Sequence, residues 1–166
     1  MNYRIFGKQT GLYASELILG GAMFGTGKGY GADMRESLKI LAAYADAGGN
    51  FIDTSDAYRY GESEKIIGGF IEGKRDSFII ASKFGRSADA SPVPALNKLG
   101  INRKAMILSV EQSLERLKTD RIDIYLAHFD DGITRQKNLY VVSKTSSVQV
   151  KSFTADSQIS PPGKWQ

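Results

Sequence analysis

Along the first 134 residues of the chain, short runs of apolar residues alternate with longer segments that mix apolar and polar residues. In these longer segments the apolar residues recur at the spacing of an amphipathic helix. The third run, "SFIIASK", has the continuous apolar centre that buried parallel strands favour. Strands that alternate with helices predict a parallel sheet with right-handed crossovers, and therefore an α/β fold. The four predicted strands are residues 17–21, 50–53, 77–83 and 121–128.

The predicted helices begin at residues that favour helix capping. Asp33 precedes the first helix with Glu36 three residues later, and Asn102 precedes the third. The second helix is predicted from about Ser63, and the glycines at 48–49 end the first. The predicted buried stripes are Met34, Leu38, Leu41, Ala42 and Ala45 in the first helix, and Ile107, Val110, Leu114 and Leu117 in the third.

Both ends of the chain differ from this alternating region. Residues 1–16 predict a small β-hairpin that turns near Thr10 and Gly11. After Thr134 the helical spacing stops, and residues 135–166 predict a segment of low order. We therefore divide the chain into residues 1–134 and a tail, which a frameshift or an artificial join would explain; a genuine divergent tail is the alternative.

Composition narrows the class of protein. The chain has no cysteine, which excludes disulfides and thiolate chemistry, and its apolar runs are far shorter than the ~18 residues of a membrane span. With no visible signal peptide, we expect a cytoplasmic protein that does not bind membranes. The tail holds five of the 22 bases and one of the 18 acids, so the net charge of +4 comes from the tail alone. Scattered bases without interleaved aromatics do not predict nucleic-acid binding.

Two short motifs suggest a dinucleotide-binding fold. The stretch "GKGYGA" (27–32) matches G-x-G-x-x-A, with Asp53 downstream, and "YVVSK" (140–144) matches the Tyr-x-x-x-Lys pair of short-chain dehydrogenases. Motifs this short arise by chance, and the glycine motif begins well after the first strand. We therefore favour a flexible strand-to-helix connection at the glycines and keep a short-chain dehydrogenase as the weakest alternative.

Three ionisable residues end successive predicted strands: Asp53, Lys83 and His128. Parallel strands end at one edge of their sheet, about 4.8 Å apart, so these side chains are expected to converge there. Tyr58 follows Asp53 closely enough to bend back over them. Each residue alone has an ordinary structural explanation, such as a turn aspartate or a core histidine, but a lysine within an apolar wall favours a carboxylate partner.

Such a set suits the reduction of a carbonyl group. Hydride addition leaves an alkoxide that needs a proton; a phenol is a poor acid near neutral pH, and a neighbouring ammonium improves it by stabilising the phenolate. Tyr58 would donate the proton, Asp53 would hold Lys83, and His128 would orient the carbonyl oxygen. Side chains supply no hydride, so this chemistry requires a nicotinamide cofactor.

The stretches "YRIFGKQTGLYASELILGG", "FIDTSDAYRYGESE", "IIASKFG" and "SVEQSLERLKTDRIDIYLAHFDD" resemble the aldo-keto reductases over residues 3 to about 134. The resemblance implies a (β/α)₈ barrel, NADPH or sometimes NADH as cofactor, and an aldehyde or ketone as the small-molecule substrate. It implies Asp53, Tyr58, Lys83 and His128 as the catalytic residues. It also implies that Gly20, Gly21 and Asp53 lie beside the cofactor.

The chain encodes four of the eight strands of such a barrel, its N-terminal half with the hairpin. In the family most cofactor phosphate contacts come from the second half, so we expect these 166 residues alone to bind NADPH weakly or not at all and to show no measurable reductase activity. The first and fourth strands would have open edges that favour self-association. A non-catalytic fragment that needs another chain to complete the barrel is the main alternative.

Overall fold

The computed structural model describes residues 1–7, 10–86, 96 and 99–134. The predicted tail (135–166) and the "YVVSK" motif within it lie outside the described residues.

The chain begins with the predicted hairpin. Strands β1 (Tyr3–Ile5) and β2 (Tyr13–Ser15) pair antiparallel, with Tyr3 opposite Ser15. The apolar side of this hairpin packs against one face of the main sheet, where the Phe6 and Phe51 rings meet edge to face at 5.1 Å. The hairpin therefore covers apolar surface on this face of the sheet.

Four parallel strands form the main sheet in the order β3-β4-β5-β6, as predicted. Its strands are β3 (Leu19–Gly20), β4 (Phe51–Asp53), β5 (Ile79–Phe84) and β6 (Ile124–Ala127). The connecting helices are α1 (Met34–Asp46), α2 (Glu62–Ile71) and α3 (Arg103–Leu117). None of the helices in the described part of the chain is long and apolar enough to cross a membrane.

Side chains predicted to cap helices do so. The Asp33 carboxylate accepts a hydrogen bond from the Glu36 amide at 2.8 Å, and the Asn102 side-chain oxygen accepts one from the Ala105 amide at 2.9 Å. Each bond satisfies one of the amides that a helix start leaves without a partner. These local contacts explain why the starts of α1 and α3 were predictable.

Alternate residues of the strands face two different cores. Ile52 and Ile80 are fully buried against the helices, whereas Phe51 and Ile79 face the hairpin. Successive side chains of a strand point to opposite faces, so the odd-numbered positions of β4 and β5 share the face toward the hairpin. This alternation decides where the polar residues at the strand ends point.

Three expectations about burial hold only in part. The first strand is not a buried five-residue strand: only Leu19 and Gly20 pair with β4, and Leu17 and Ile18 are 65% and 49% exposed, because residues 16–18 connect the hairpin to the sheet. In α1, Leu41 is buried but Met34 is 61% exposed, since α2 packs against one side of the helix only. The buried face of α3 is rotated from the predicted stripe toward small polar residues. Its members are Ala105, Met106, Ser109, Val110, Ser113 and Leu117.

Candidate active site

Strand alternation brings the predicted catalytic residues to one face. Asp53 lies two residues after Phe51 in β4, and Lys83 lies four residues after Ile79 in β5, so both share the face toward the hairpin. His128 directly follows β6, and its amide donates to the Phe84 carbonyl at 2.9 Å, which continues the parallel pairing. The three side chains thus converge because of the register between the parallel strands β4, β5 and β6.

Asp53 and Lys83 form a close ion pair. The Lys83 ammonium lies 2.6 Å from each carboxylate oxygen of Asp53 and donates to the Thr54 carbonyl at 3.0 Å. The Lys83 side chain is 16% exposed and the Asp53 side chain is 28% exposed. A partly desolvated ammonium needs hydrogen-bond acceptors, and the Asp53 carboxylate and Thr54 carbonyl together hold it at the carboxyl ends of the strands.

Tyr58 lies over this pair. Its hydroxyl is 3.4 Å from the Lys83 ammonium, which also stands 5.1 Å from the ring centroid. Tyr58 opens a short 3₁₀ turn in which Arg59 and Tyr60 take left-handed backbone conformations, with φ of 51° and 56°. Non-glycine residues adopt this region at a cost, so the surrounding contacts must hold the turn that positions the phenol.

His128 completes the group. Its ring meets the Tyr58 ring edge to face, with centroids 5.6 Å apart and an interplanar angle of 89°. Burial, with smaller contributions from Arg86 and Lys83, lowers the pKa of His128 below its ordinary value. The ring is therefore neutral near pH 7 and can donate one hydrogen bond and accept another.

The two glycines implied beside a cofactor differ in their surroundings. Gly20, opposite Asp53 in the sheet, is exposed, and a side chain there would meet nothing within 4 Å. Gly21 is buried against α2: an added Cβ would lie 2.8 Å from the Ser63 hydroxyl. Its amide donates to the Asp53 carbonyl at 2.7 Å, and its carbonyl accepts from Ser63 at 2.8 Å. Gly21 therefore has a packing role, and only Gly20 faces open space.

A sequence model described as the Aldo/keto reductase family matches residues 16–149 of this chain. The chain belongs to this family. It is 38% identical over 141 residues to the aldo-keto reductase ausK of Emericella nidulans, a match that covers 80% of this chain and 35% of that protein. It is also 38% identical over 132 residues to the aryl-alcohol dehydrogenase (NADP(+)) of Phanerodontia chrysosporium, covering 73% of this chain and 34% of that protein.

A solved structure shows the same fold. The aldo-keto reductase AKR11C1 from Bacillus halodurans, in its holo form, superposes with a TM-score of 0.72 at 27% identity, covering 84% of this chain and 44% of that one. The chain thus spans between about a third and a half of the length of these relatives. The prediction of an α/β fold that forms the N-terminal half of a (β/α)₈ barrel with a hairpin is confirmed. The family match extends past residue 134, where the sequence predicted the resemblance to end.

In this chain the glycine-rich loop is held by contacts with side chains of α2 and of the turn that precedes α2. The Glu62 carboxylate accepts from the amides of Thr26 and Gly27, each at 2.8 Å. The buried Arg59 guanidinium lies 3.8 Å from the Tyr30 ring centroid. The amides of Gly27 and Gly29, the first two glycines of the motif, are therefore already bonded within the protein, which argues against the G-x-G-x-x-A reading of residues 27–32.

A buried polar cluster on the other face of the sheet was not predicted. Glu64 is fully buried, accepts from the Ser82 hydroxyl at 2.6 Å and binds the Arg116 guanidinium at 2.7 Å. Asp56 lies nearby, 2% exposed, and burial together with the Glu64 charge raises its pKa to about 7. Asp56 is therefore a carboxyl that exchanges its proton near neutral pH, close to the candidate site.

A sequence signal for this cluster existed but was ambiguous. Ser109, Ser113 and Arg116 follow one another at helical spacing, which places them on one side of α3. The same spacing fits a solvated helix face, so only the position of α3 against α2 shows that these residues are buried. In the described ranges 1–7, 10–86, 96 and 99–134, no three His, Asp or Glu side chains are grouped as metal ligands.

Proposed function

We propose that this chain carries the catalytic residues of an NAD(P)H-dependent oxidoreductase that reduces an aldehyde or ketone to an alcohol. The observation that carries the proposal is the Lys83 ammonium, which bonds both oxygens of Asp53 and lies 3.4 Å from the Tyr58 hydroxyl, with His128 alongside. Membership of the aldo-keto reductase family supports it.

Tyr58 is the proton donor in this proposal. Its hydroxyl is the group of the set that can give a proton to a developing alkoxide, and the adjacent ammonium stabilises the phenolate that remains. Asp53 holds the Lys83 ammonium in place through both carboxylate oxygens. The partial exposure of both side chains leaves this end of the sheet open to a small molecule.

His128 orients the carbonyl oxygen. Because its lowered pKa keeps the ring neutral near pH 7, it offers a hydrogen-bond donor without placing a second cation beside Lys83. Its edge-to-face contact with Tyr58 holds the two rings at a right angle. An oxygen bound between the phenol and the imidazole would thus be held in the geometry that proton transfer needs.

The donor set fits a nicotinamide cofactor because it supplies a proton but no electron pair. NADPH is the proposed cofactor, with NADH as the alternative; when bound, it supplies the hydride. Gly20 and Asp53 would lie beside it, because the open space at Gly20 permits close approach of a flat ring. One relative is named for NADP(+) and for an aryl alcohol, so we choose aromatic aldehydes as the first substrates to assay.

The test uses a hybrid in which residues 1–134 are followed by the C-terminal half of the Bacillus halodurans reductase. We expect it to oxidise NADPH in the presence of an aromatic aldehyde, and Tyr58→Phe to lower kcat by at least ~10²–10⁴-fold. The matched control is Tyr60→Phe, because Tyr60 is 40% exposed two residues away and its ring faces Lys28. A kcat unchanged by Tyr58→Phe would refute its assignment as donor.

Two further expectations remain proposals. We propose self-association through β3 and β6, each of which has a strand on one side only within the described residues; sedimentation of the 166-residue chain tests it. We also propose the domain boundary near Thr134, supported by the change in sequence pattern there. Limited proteolysis that cuts first within 135–166 would support this boundary.

A further inference from the structure

A buried hydroxyl connects the candidate site to the polar cluster behind the sheet. The Ser55 hydroxyl lies 3.0 Å from Nδ1 of His128 and 3.2 Å from an Asp56 carboxyl oxygen. It also accepts from the Ala57 amide at 3.2 Å. Ser55 is fully buried and Asp56 is 2% exposed, so the hydroxyl that joins the imidazole to the carboxyl is shielded from bulk solvent.

We propose that Ser55 and Asp56 are positioning residues that decide which ring nitrogen of His128 carries the hydrogen. The proposal rests on the proposed function, in which the imidazole orients a carbonyl oxygen. It adds to that site a second set of residues, which contacts Nδ1 of the histidine ring.

Counting hydrogens gives the reason. A serine hydroxyl has one hydrogen to donate, and three acceptors lie within its reach: His128 Nδ1 at 3.0 Å, the Asp56 carboxyl at 3.2 Å and, most distant, the Lys83 carbonyl oxygen at 3.4 Å. The competition that concerns His128 is the one between Nδ1 and the Asp56 carboxyl. When Asp56 is ionised, the hydroxyl donates to the carboxylate, because charge-assisted bonds are stronger. The Ser55 oxygen then accepts from Nδ1–H, and Nε2 carries no hydrogen.

Protonation of Asp56 reverses this arrangement. The carboxyl gains a proton from solvent, its oxygen becomes a weaker acceptor, and the Ser55 hydroxyl donates to Nδ1 instead. The half-buried ring exchanges its hydrogen with solvent and then carries it on Nε2. Only this form donates a hydrogen bond from Nε2, so the protonated state of Asp56 prepares His128 to hold a carbonyl oxygen.

The charges around Asp56 place its titration near neutral pH. Glu64 of α2 opposes ionisation and Arg116 of α3 favours it, as do the hydroxyls of Ser109 and Ser55. Burial outweighs these bonds and raises the pKa of Asp56 to about 7. Tyr125 of β6 also faces this carboxyl; burial, followed by Asp56 and Glu64, raises the pKa of the phenol well above its usual value, so it stays neutral.

The charges around His128 favour its neutral ring over the same range. Arg86 and Lys83 disfavour the imidazolium, and Asp53 favours it less strongly. Burial is the largest contribution, and the pKa of His128 is lowered as a result. The ring therefore changes tautomer, rather than charge, while Asp56 titrates.

The test reads the ring nitrogens directly. His128 is the only histidine of the chain, so a long-range ¹H–¹⁵N spectrum of the ¹⁵N-labelled 166-residue protein contains one imidazole. Between about pH 6 and about pH 8 we expect the hydrogen to move from Nε2 to Nδ1. In Asp56→Asn, which keeps the shape but does not titrate, we expect a tautomer ratio that stays constant over this range.

Two more variants separate the connection from general packing. Ser55→Ala removes the shared hydroxyl, and we expect it to abolish the tautomer change. Ser109→Ala is the matched control, because it removes another hydroxyl from Asp56 without touching the connection; the change should persist with its midpoint at higher pH. The Asp56→Asn result decides the proposal if Ser55→Ala fails to fold.

Constant nitrogen shifts in the parent protein, or a parent-like tautomer change in Asp56→Asn, would overturn the proposal. Because the measurement requires neither cofactor nor turnover, its failure is distinct from a failure of the proposed function. The latter would show as a Tyr58→Phe hybrid with full activity.

Discussion

Two adjacent glycines of α2 offer a direct test of how this fold supports its site. Gly68 faces the end of α3, and a Cβ added there would lie 2.6 Å from the Arg116 carbonyl oxygen and 2.7 Å from the Leu117 carbonyl. Gly69, the next residue, is exposed, and an added Cβ would meet nothing within 4 Å. Alanine at these two positions therefore differs only in what the new methyl group contacts.

The expected magnitudes follow from this contrast. Replacing a helical glycine with alanine stabilises by ~0.5–1 kcal/mol, so Gly69→Ala should raise the free energy of unfolding by that amount. Gly68→Ala has the same gain but forces two backbones apart, and overpacking of this kind costs ~1–3 kcal/mol. The helix gain cancels between the variants, so Gly68→Ala should be less stable than Gly69→Ala by ~1–3 kcal/mol.

The measurement is urea unfolding of the 166-residue chain and of both variants. The loss of helix content is followed by far-ultraviolet circular dichroism. We expect a lower midpoint for Gly68→Ala and a higher one for Gly69→Ala, with similar slopes. Equal midpoints for the two variants would refute the reasoning, because α2 and α3 would then accommodate the added methyl group with no loss in the free energy of unfolding.

Three further predictions concern charged side chains. Lys83→Met leaves the Asp53 carboxylate without its cation, so we expect at least ~10²-fold lower kcat/KM in the hybrid; unchanged kinetics would contradict the role of the pair. Burial keeps Asp56 protonated in the folded protein up to its pKa of about 7, whereas the ordinary pKa of the group is 3.8. The free energy of unfolding of the parent should therefore fall relative to that of Asp56→Asn as pH rises from 3.8 to about 7, by at most ~4 kcal/mol. A constant difference between the two proteins in urea unfolding across this range would argue otherwise. Glu62→Gln weakens the bond from the Thr26 amide, so this amide should exchange hydrogen faster, and an unchanged exchange rate would count against the anchor.

Local patterns determined much of this protein without the structure. The caps at Asp33 and Asn102 act within three residues of their helices, so the sequence carries both partners side by side. The order of strands and helices follows from hydrophobic periodicity and the handedness of crossovers. The meeting of Asp53, Lys83 and His128 was predictable for a related reason, because parallel strands with a period of two bring their ends to one edge.

Only the tertiary structure decided which polar residues support that site. Ser55 and His128 lie 73 residues apart, and Glu64 and Arg116 lie 52 apart, so no local pattern joins either pair. The Glu64–Arg116 contact depends on the close packing of α2 against α3, which Gly68 permits, and the Ser55–His128 contact depends on the parallel pairing of β4, β5 and β6. Burial then decides their chemistry, since the same Asp56 carboxyl in water would be ionised at neutral pH. The sequence thus placed the reacting groups, whereas the desolvation that tunes them arises only when distant segments pack together.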